Sequence, residues 1–181
     1  VLHVIESDGV YGAEQMLLSL AKEHHRSGVE SILFSLSSKG NDKEIEIAFS
    51  KHGFEVIKSG KSGLKEAGIA FYIRKLIKLK KIDIIHLHGY KANIFIGYLR
   101  WILKDTPIVT TLHGRTSNNR LSRKGIYYFL EAAFLRKFSC LITVSQQIRN
   151  EMLDIGMPAY KVKYIANGID PILRSSAVKN K

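Results

Sequence analysis

Seven short apolar, β-branched runs alternate with stretches of helical periodicity, and this alternation constrains the chain more than any one motif. The runs are 1–5, 30–36, 54–57, 83–87, 108–112, 140–144 and 162–165. Helical patterns lie near 12–27, 42–52, 64–81, 90–104, 122–138 and 145–155. Strands alternating with helices of this length predict βαβ units on a parallel sheet. The strands are almost continuously apolar, as strands covered on both faces must be. The expected fold is an α/β, doubly wound, Rossmann-like domain with strand order 3-2-1-4-5-6-7. At 181 residues the chain is long enough for one domain with its own core.

Local signals agree with this division. Asn41 or Asp42 can cap the second helix and Ser145 the last, through a side-chain oxygen that accepts first-turn N–H groups. Gly28 and Gly53 stand where the first two helices should stop. Pro107 ends the segment before the fifth strand. The 45% hydrophobic and 24% charged shares are those of a soluble globular protein. The longest apolar stretch, 92–103, is interrupted by Arg100 and is too short to span a bilayer. Run 1–5 is too short for a secretory leader and lacks a basic start, so none is expected. The lone Cys140 forms no intramolecular disulfide, agrees with a reducing compartment, and is expected in the core.

The topology locates a ligand site. In open α/β sheets ligands bind beyond the carboxyl ends of the strands, where the strand order reverses. Here that point lies between the first and fourth strands. Residues 6–12, 88–91 and the pair His113-Gly114 should converge there. The first of these loops reads SDGVYGAEQ. It lacks the paired glycines of a dinucleotide fingerprint and the Lys-Ser/Thr of a P-loop. Gly12 still permits close approach, and the free N–H groups of the following helix attract anions. A plain tight turn is the competing reading.

Five segments together resemble the N-terminal half of a GT-B glycosyltransferase of the retaining family called glycosyltransferase family 4, or group 1. They are VLHVIESDGVYGAEQMLLSLA at the start, DIIHLHGYKANIFIG at 83–97, PIVTTLHG at 107–114, LITVSQQIRNEML at 141–153 and VKYIANGID at 162–170. The resemblance implies an acceptor-binding domain over 1–170. The polar stretch 171–181 is then the start of a linker or tail. A C-terminal donor-binding domain is absent from this chain, and with it the paired glutamates such families place against the donor. It implies transfer of a sugar from a nucleotide sugar to a hydroxyl acceptor, glycan or lipid-linked, with retention, by a protein inactive as this fragment alone. No tightly bound cofactor and no metal are expected.

The resemblance also implies roles residue by residue. His113 contacts the transferred sugar at the reaction centre, as a hydrogen-bonding group rather than a general base. Gly12 and Ala13 bring their backbone beside the donor diphosphate, and Glu14 complements the positive end of the helix dipole. His88, Tyr90 and Arg115 are the acceptor-contact candidates, with Arg120, Arg123 and Lys124 as further donors for an acidic acceptor. Ser145, Asn167 and Asp170 are read as a cap and a strand-end turn. His86 and His88 share a strand face, and with His113 they raise a metal reading, set aside because no Cys or carboxylate completes it. His86 and His3 are read as structural.

The net charge of +12 calls for an anionic partner. On the helix at 64–81, Ile69, Tyr72, Ile73, Leu76, Ile77 and Leu79 share one face at about 100° per residue. Phe71 falls on the other side among Arg74, Lys75, Lys78 and Lys81. An aromatic ring amid cations suits an anionic membrane surface. The expected location is therefore cytoplasmic, peripheral on the inner face of the membrane. A solvated basic face is the competing reading. Two rival functions stay open: another GT-B half, such as a sugar-nucleotide epimerase domain, and a non-catalytic nucleotide- or nucleic-acid-binding Rossmann module. Nucleic acid is not expected, because no aromatic-rich strands of an RNA-binding surface occur.

Overall fold

The strand runs become seven strands of one sheet among the described residues, which in this computed structural model are 1–7, 9–36, 43–59, 66–103, 105–113 and 123–168. In chain order the elements are β1 (Leu2–Ile5), α1 (Gly12–Arg26), β2 (Ile32–Ser35), α2 (Glu44–Lys51), β3 (Glu55–Lys58), α3 (Glu66–Leu79) and β4 (Ile85–His88). They continue with α4 (Tyr90–Tyr98), β5 (Ile108–Leu112), α5 (Arg123–Leu135), β6 (Cys140–Thr143), α6 (Gln146–Asp154), a 3-10 turn at Ala159–Lys161 and β7 (Val162–Tyr164). The order is β3-β2-β1-β4-β5-β6-β7, every pairing parallel, as expected.

Strand alternation divides the core in two. Ile5 and Leu33 pack with Leu17 and Ala21 of α1 and with Ile45 and Phe49 of α2. Leu2, Val4, Ile32 and Phe34 belong to the larger cluster with Ile73, Ile96, Leu135 and Met152 from α3, α4, α5 and α6. Helices α1 and α2 thus cover one face, and α3 to α6 the other. β1, β2 and β4 are buried along their whole length, which explains why none of them carries a charged Asp, Glu, Lys or Arg.

The expected stops hold: Gly28 and Gly53 adopt φ of +75° and +79° at the ends of α1 and α2, a conformation in which a Cβ is strained. Ser145 caps α6, its hydroxyl oxygen accepting the Ile148 N–H at 3.2 Å. The proposed caps Asn41 and Asp42 lie outside the described residues; Lys43 precedes α2, and its N–H donates to Glu46 Oε2 at 3.2 Å.

Three expectations need correction. The fourth helix was expected over 90–104 but ends at Tyr98. Tighter i to i+3 turns follow, Ile102 N–H to the Leu99 carbonyl and Leu103 N–H to that of Arg100, before Pro107 imposes an extended approach to β5. Leu79 was placed on the packed face of α3 but is 67% exposed. It is the last residue of the helix, at the rim of the apolar stripe, and the chain turns back toward β4 directly after it, through Lys81 at φ +49°. Cys140 was expected in the core and is only partly buried, because β6 alternates partial burial at Cys140 and Ile142 with full burial at Leu141 and Thr143.

Candidate active site at the strand ends

The loop after β1 is built by local hydrogen bonds. The Ser7 hydroxyl donates to the Gly9 carbonyl at 2.9 Å. The Val10 N–H donates to Glu44 Oε2 at 3.1 Å, and the Tyr11 N–H to Glu14 Oε2 at 3.0 Å. A Cβ on Gly9 would meet the outer ring atoms of Tyr11 at 2.8 Å, the far end of an exposed side chain. At Gly12, the first residue of α1, a Cβ would meet nothing within 4 Å. Glu14 thus closes back on the helix start and sets a carboxylate against its positive end, while the Tyr11 side chain makes no cap hydrogen bond. Backbone N–H groups at a helix start suit an anion.

A pocket opens at the carboxyl ends of β4 and β5, lined by Tyr90, His113, Tyr128 and Glu131 over an apolar floor that includes Leu135 and Met152. Gly89, at φ +85°, turns the chain from β4 into α4 and sets Tyr90 at the rim. The Tyr90 ring lies 6.2 Å from that of Tyr127 and 6.3 Å from that of Tyr128. Beneath them Asn93 Nδ2 donates to Glu131 Oε1 at 2.7 Å, and the Thr110 hydroxyl donates to Asn93 Oδ1 at 2.7 Å. This buried chain links β5, α4 and α5 and holds a carboxylate against the pocket.

His113 follows β5 and is half-buried. Its Nε2 is enclosed yet has no hydrogen-bond partner among the described residues. Burial holds its pKa below the ordinary imidazole value, while the charge of Glu14 in the first turn of α1 pulls the other way. The ring is neutral near pH 7 and keeps one donor and one acceptor.

Histidines gather on the α1 side of the sheet beneath this site. His3 pairs in register with His86 across β1 and β4, and His86 and His88 face the same way. His3 Nδ1 lies 3.2 Å from His88 Nε2, His3 Nε2 lies 3.3 Å from the Ser31 hydroxyl, and His86 Nε2 lies 2.8 Å from the Thr111 hydroxyl. His88 is only 1% exposed. Burial holds its pKa well below the ordinary value, helped by the neighbouring imidazoles His86, His3 and His113.

Of the residues singled out in the sequence, His113 and Tyr90 meet in the pocket, and α1 brings Gly12 and Ala13 to its own first turn nearby. His88 does not join them at the surface: the fully buried end of β4 encloses its ring, 6.4 Å from that of His113, which leaves an acceptor no direct access. Arg115, Arg120 and Asp170 lie outside the described residues, as do the side chains of Arg123 and Lys124. Tyr128 and Glu131 escaped sequence reading, since inside a helix neither carries a motif; only the predicted crossing of α5 over the end of β5 could have drawn attention to them. The histidines that stand together as potential ligands are His3, His86 and His88, not the His86, His88 and His113 set weighed and set aside from the sequence.

The seven-stranded parallel sheet, with its order reversing between β1 and β4 and helices on both faces, is a Rossmann-like domain. The chain belongs to Glycosyltransferase Family 4, whose family model matches residues 10–172. None of the curated proteins compared with the chain matches it. Among solved structures it is similar to Anabaena Alr3699/HepE in complex with UDP and glucose, with TM-score 0.72, 21% identity, and coverage of 95% of this chain and 45% of that one. A glycosyltransferase from Rickettsia africae ESF-5 matches with TM-score 0.65 and 19% identity, covering 98% and 48%. UDP-GlcNAc 2-epimerase from Neisseria meningitidis, bound to UDP-GlcNAc, matches with TM-score 0.64 and 14% identity, covering 98% and 49%. At these identities the likeness is one of fold. The chain spans about half the length of the structures it matches.

Proposed function

We propose that this chain is the acceptor-binding half of a glycosyltransferase that moves a hexosyl-type sugar from a nucleotide sugar to a hydroxyl acceptor with retention, and that it is inactive without a donor-binding partner domain over the same cleft. The observation that carries the reading is His113, a neutral imidazole whose enclosed Nε2 has no hydrogen-bond partner among the described residues, lining the pocket of Tyr90, Tyr128 and Glu131 and within electrostatic reach of Glu14 in the first turn of α1.

Each part has a chemical task. The N–H groups at Gly12 and Ala13 meet the donor diphosphate. His113 hydrogen-bonds a hydroxyl of the transferred sugar and leaves proton removal from the acceptor to the donor phosphate. Tyr90 and Tyr128 offer flat apolar faces to an acceptor ring, and Glu131 accepts from its hydroxyls. Arg115 is a further acceptor contact. That HepE is seen with UDP and glucose supports a nucleotide-sugar donor. No resident metal enters this scheme.

The reading includes peripheral attachment to an anionic membrane surface on the cytoplasmic side. Phe71 is 58% exposed, and Arg74, Lys75, Lys78 and Lys81 are exposed beside it. Tyr98 and Trp101, at 68% and 70% exposure, extend the aromatic character at the end of α4. Among the described residues no helix is long and apolar enough to cross a membrane.

The test is transfer by the full-length enzyme from labelled nucleotide sugars to glycan and lipid-linked acceptors, with residues 1–181 assayed in parallel. Acceptor-dependent transfer by the full-length protein alone is expected. Acceptor-independent epimerisation of the sugar, or turnover by 1–181, would overturn the reading.

A further inference from the structure

Three histidine rings meet inside the layer between the sheet and α1, far apart in sequence and brought together by strand register. The centroids of His3 and His86 are 5.4 Å apart, those of His3 and His88 5.4 Å, and those of His86 and His88 4.3 Å. One potential ligand atom from each lies within 4.8 Å of the others. Around a tetrahedral zinc ion with Zn–N bonds of about 2.0–2.1 Å, neighbouring ligand nitrogens are roughly 3.3 Å apart. His3 Nδ1 and His88 Nε2 already stand at 3.2 Å. Closing the third ligand asks a side-chain adjustment of up to roughly 1.5 Å.

The surroundings prepare these rings as ligands. The Ser31 hydroxyl engages the outer nitrogen of His3 at 3.3 Å, and the Thr111 hydroxyl engages His86 Nε2 at 2.8 Å. Such outer partners fix tautomer and ring orientation. His88 Nδ1 is buried without a hydrogen-bond partner among the described residues. The atom of His88 that faces His3 is Nε2, so coordination through it leaves Nδ1 as the N–H of a neutral imidazole. All three rings are buried between the sheet and α1. Half-buried His24 stacks on His3 at 5.4 Å and lies 3.0 Å from the same Ser31 hydroxyl.

We propose that His3, His86 and His88 form a binding site for a borderline transition-metal ion of the Zn²⁺ or Co²⁺ kind, clamping β1 to β4 below the cleft. An all-imidazole set suits these ions, whereas Mg²⁺ and Ca²⁺ demand oxygen ligands. The ion would lie beneath His113, not among the groups that meet substrate. The proposal stands independently of the transfer reaction.

The test uses the purified chain stripped with chelator and titrated with ZnCl₂ or CoCl₂. One ion per chain is expected, with a chelator-reversible rise in melting temperature and a visible Co²⁺ spectrum of low-coordinate nitrogen ligation. MgCl₂ should give neither. His86→Gln and His88→Gln should weaken binding at least about tenfold, while His113→Ala and His25→Ala leave it intact. Should the substituted chains fail to fold, the wild-type chain labelled at histidine nitrogens still decides: Co²⁺ must shift the resonances of His3, His86 and His88 first. Binding that survives both substitutions, shifts confined to surface histidines such as His25 and His52, or no stoichiometric ion at micromolar metal would overturn the proposal.

Discussion

Lys91 Nζ lies 2.9 Å from Glu6 Oε1, joining the first turn of α4 to the end of β1 across the reversal of strand order. The two side chains retain 49% and 28% of their exposure, so the contact is a surface ion pair worth about 0–1 kcal/mol. Lys91→Met should therefore lower unfolding free energy by no more than about 1 kcal/mol. Transfer by the full-length enzyme should fall further, because the loop that presents Gly12 loses its tether. Urea melts set beside initial rates check this, and a stability loss as large as the rate loss would refute it.

Gly12→Val and His113→Ala should separate fold from function. A Cβ at Gly12 meets nothing within 4 Å, so the valine chain should melt within about 0.5 kcal/mol of the parent. Its branched side chain would still occupy the path of a phosphate to α1. His113→Ala removes a hydrogen-bonding group whose Nε2 has no partner among the described residues, so turnover should drop at least about tenfold with little change in melting. Wild-type turnover in both full-length variants would remove the proposed cleft.

Gly97→Ala should destabilise the domain. A Cβ there would run into Cβ and Cγ of Phe134; a χ1 change could move Cγ, but not Cβ, which is fixed to the α5 backbone. Overpacking of this kind costs about 1–3 kcal/mol. Adding Phe134→Ala should recover part of the loss, a coupling readable from a double-mutant cycle. Additive losses would show that α4 and α5 do not meet through these two residues.

Glu46 supplies a pH-dependent contribution to stability. Lys58 Nζ lies 2.6 Å from its carboxylate, which is buried at the base of α2. Burial alone would raise the carboxyl pKa, but the hydrogen bond and charge of Lys58 and the Lys43 N–H outweigh it and hold it below the usual 4.5. A lowered folded value means that this stability is complete above the unfolded value and disappears as pH falls through the folded one. Glu46→Gln should cost about 3 kcal/mol at neutral pH. It should also flatten the acid limb of a melting-temperature profile below pH about 4.5. An unchanged acid limb would assign that loss to other groups.

Vesicle sedimentation tests the basic face of α3. Binding should require anionic lipid and weaken with salt, each cation near the surface contributing about 1 kcal/mol. It should fall for Phe71→Ser and for the pair Lys75→Glu and Lys78→Glu. Equal binding to neutral and anionic vesicles, or none to either at low salt, would leave only a solvated face.

Strand order and the meeting of three loops were legible in the sequence because they follow from alternation and connection rules alone. Tyr90 and His113 were found as the first residues past two neighbouring strands. Contacts that depend on register were not legible. His3 and His88 touch across 85 positions, and two apolar strands do not show in advance which residues stand side by side. The burial of His88 follows from the same cause: a histidine at a strand end reads as accessible until the neighbouring strands are seen to enclose it. Glu131 was hidden differently, since a glutamate inside an apolar helix reads as a solvated residue until its partner Asn93 is placed opposite.

The chain from Thr110 through Asn93 to Glu131 has a mechanical consequence. α4 reads YKANIFIGY and is apolar on nearly every side, so packing alone would tolerate its rotation about its axis. Asn93 removes that freedom, because turning or sliding the helix would strand the amide, the hydroxyl and a carboxylate in a dry interior. Tyr90, three residues before Asn93, is thereby fixed in azimuth as well as in position. The wall of the pocket that carries Tyr90 is therefore stiff.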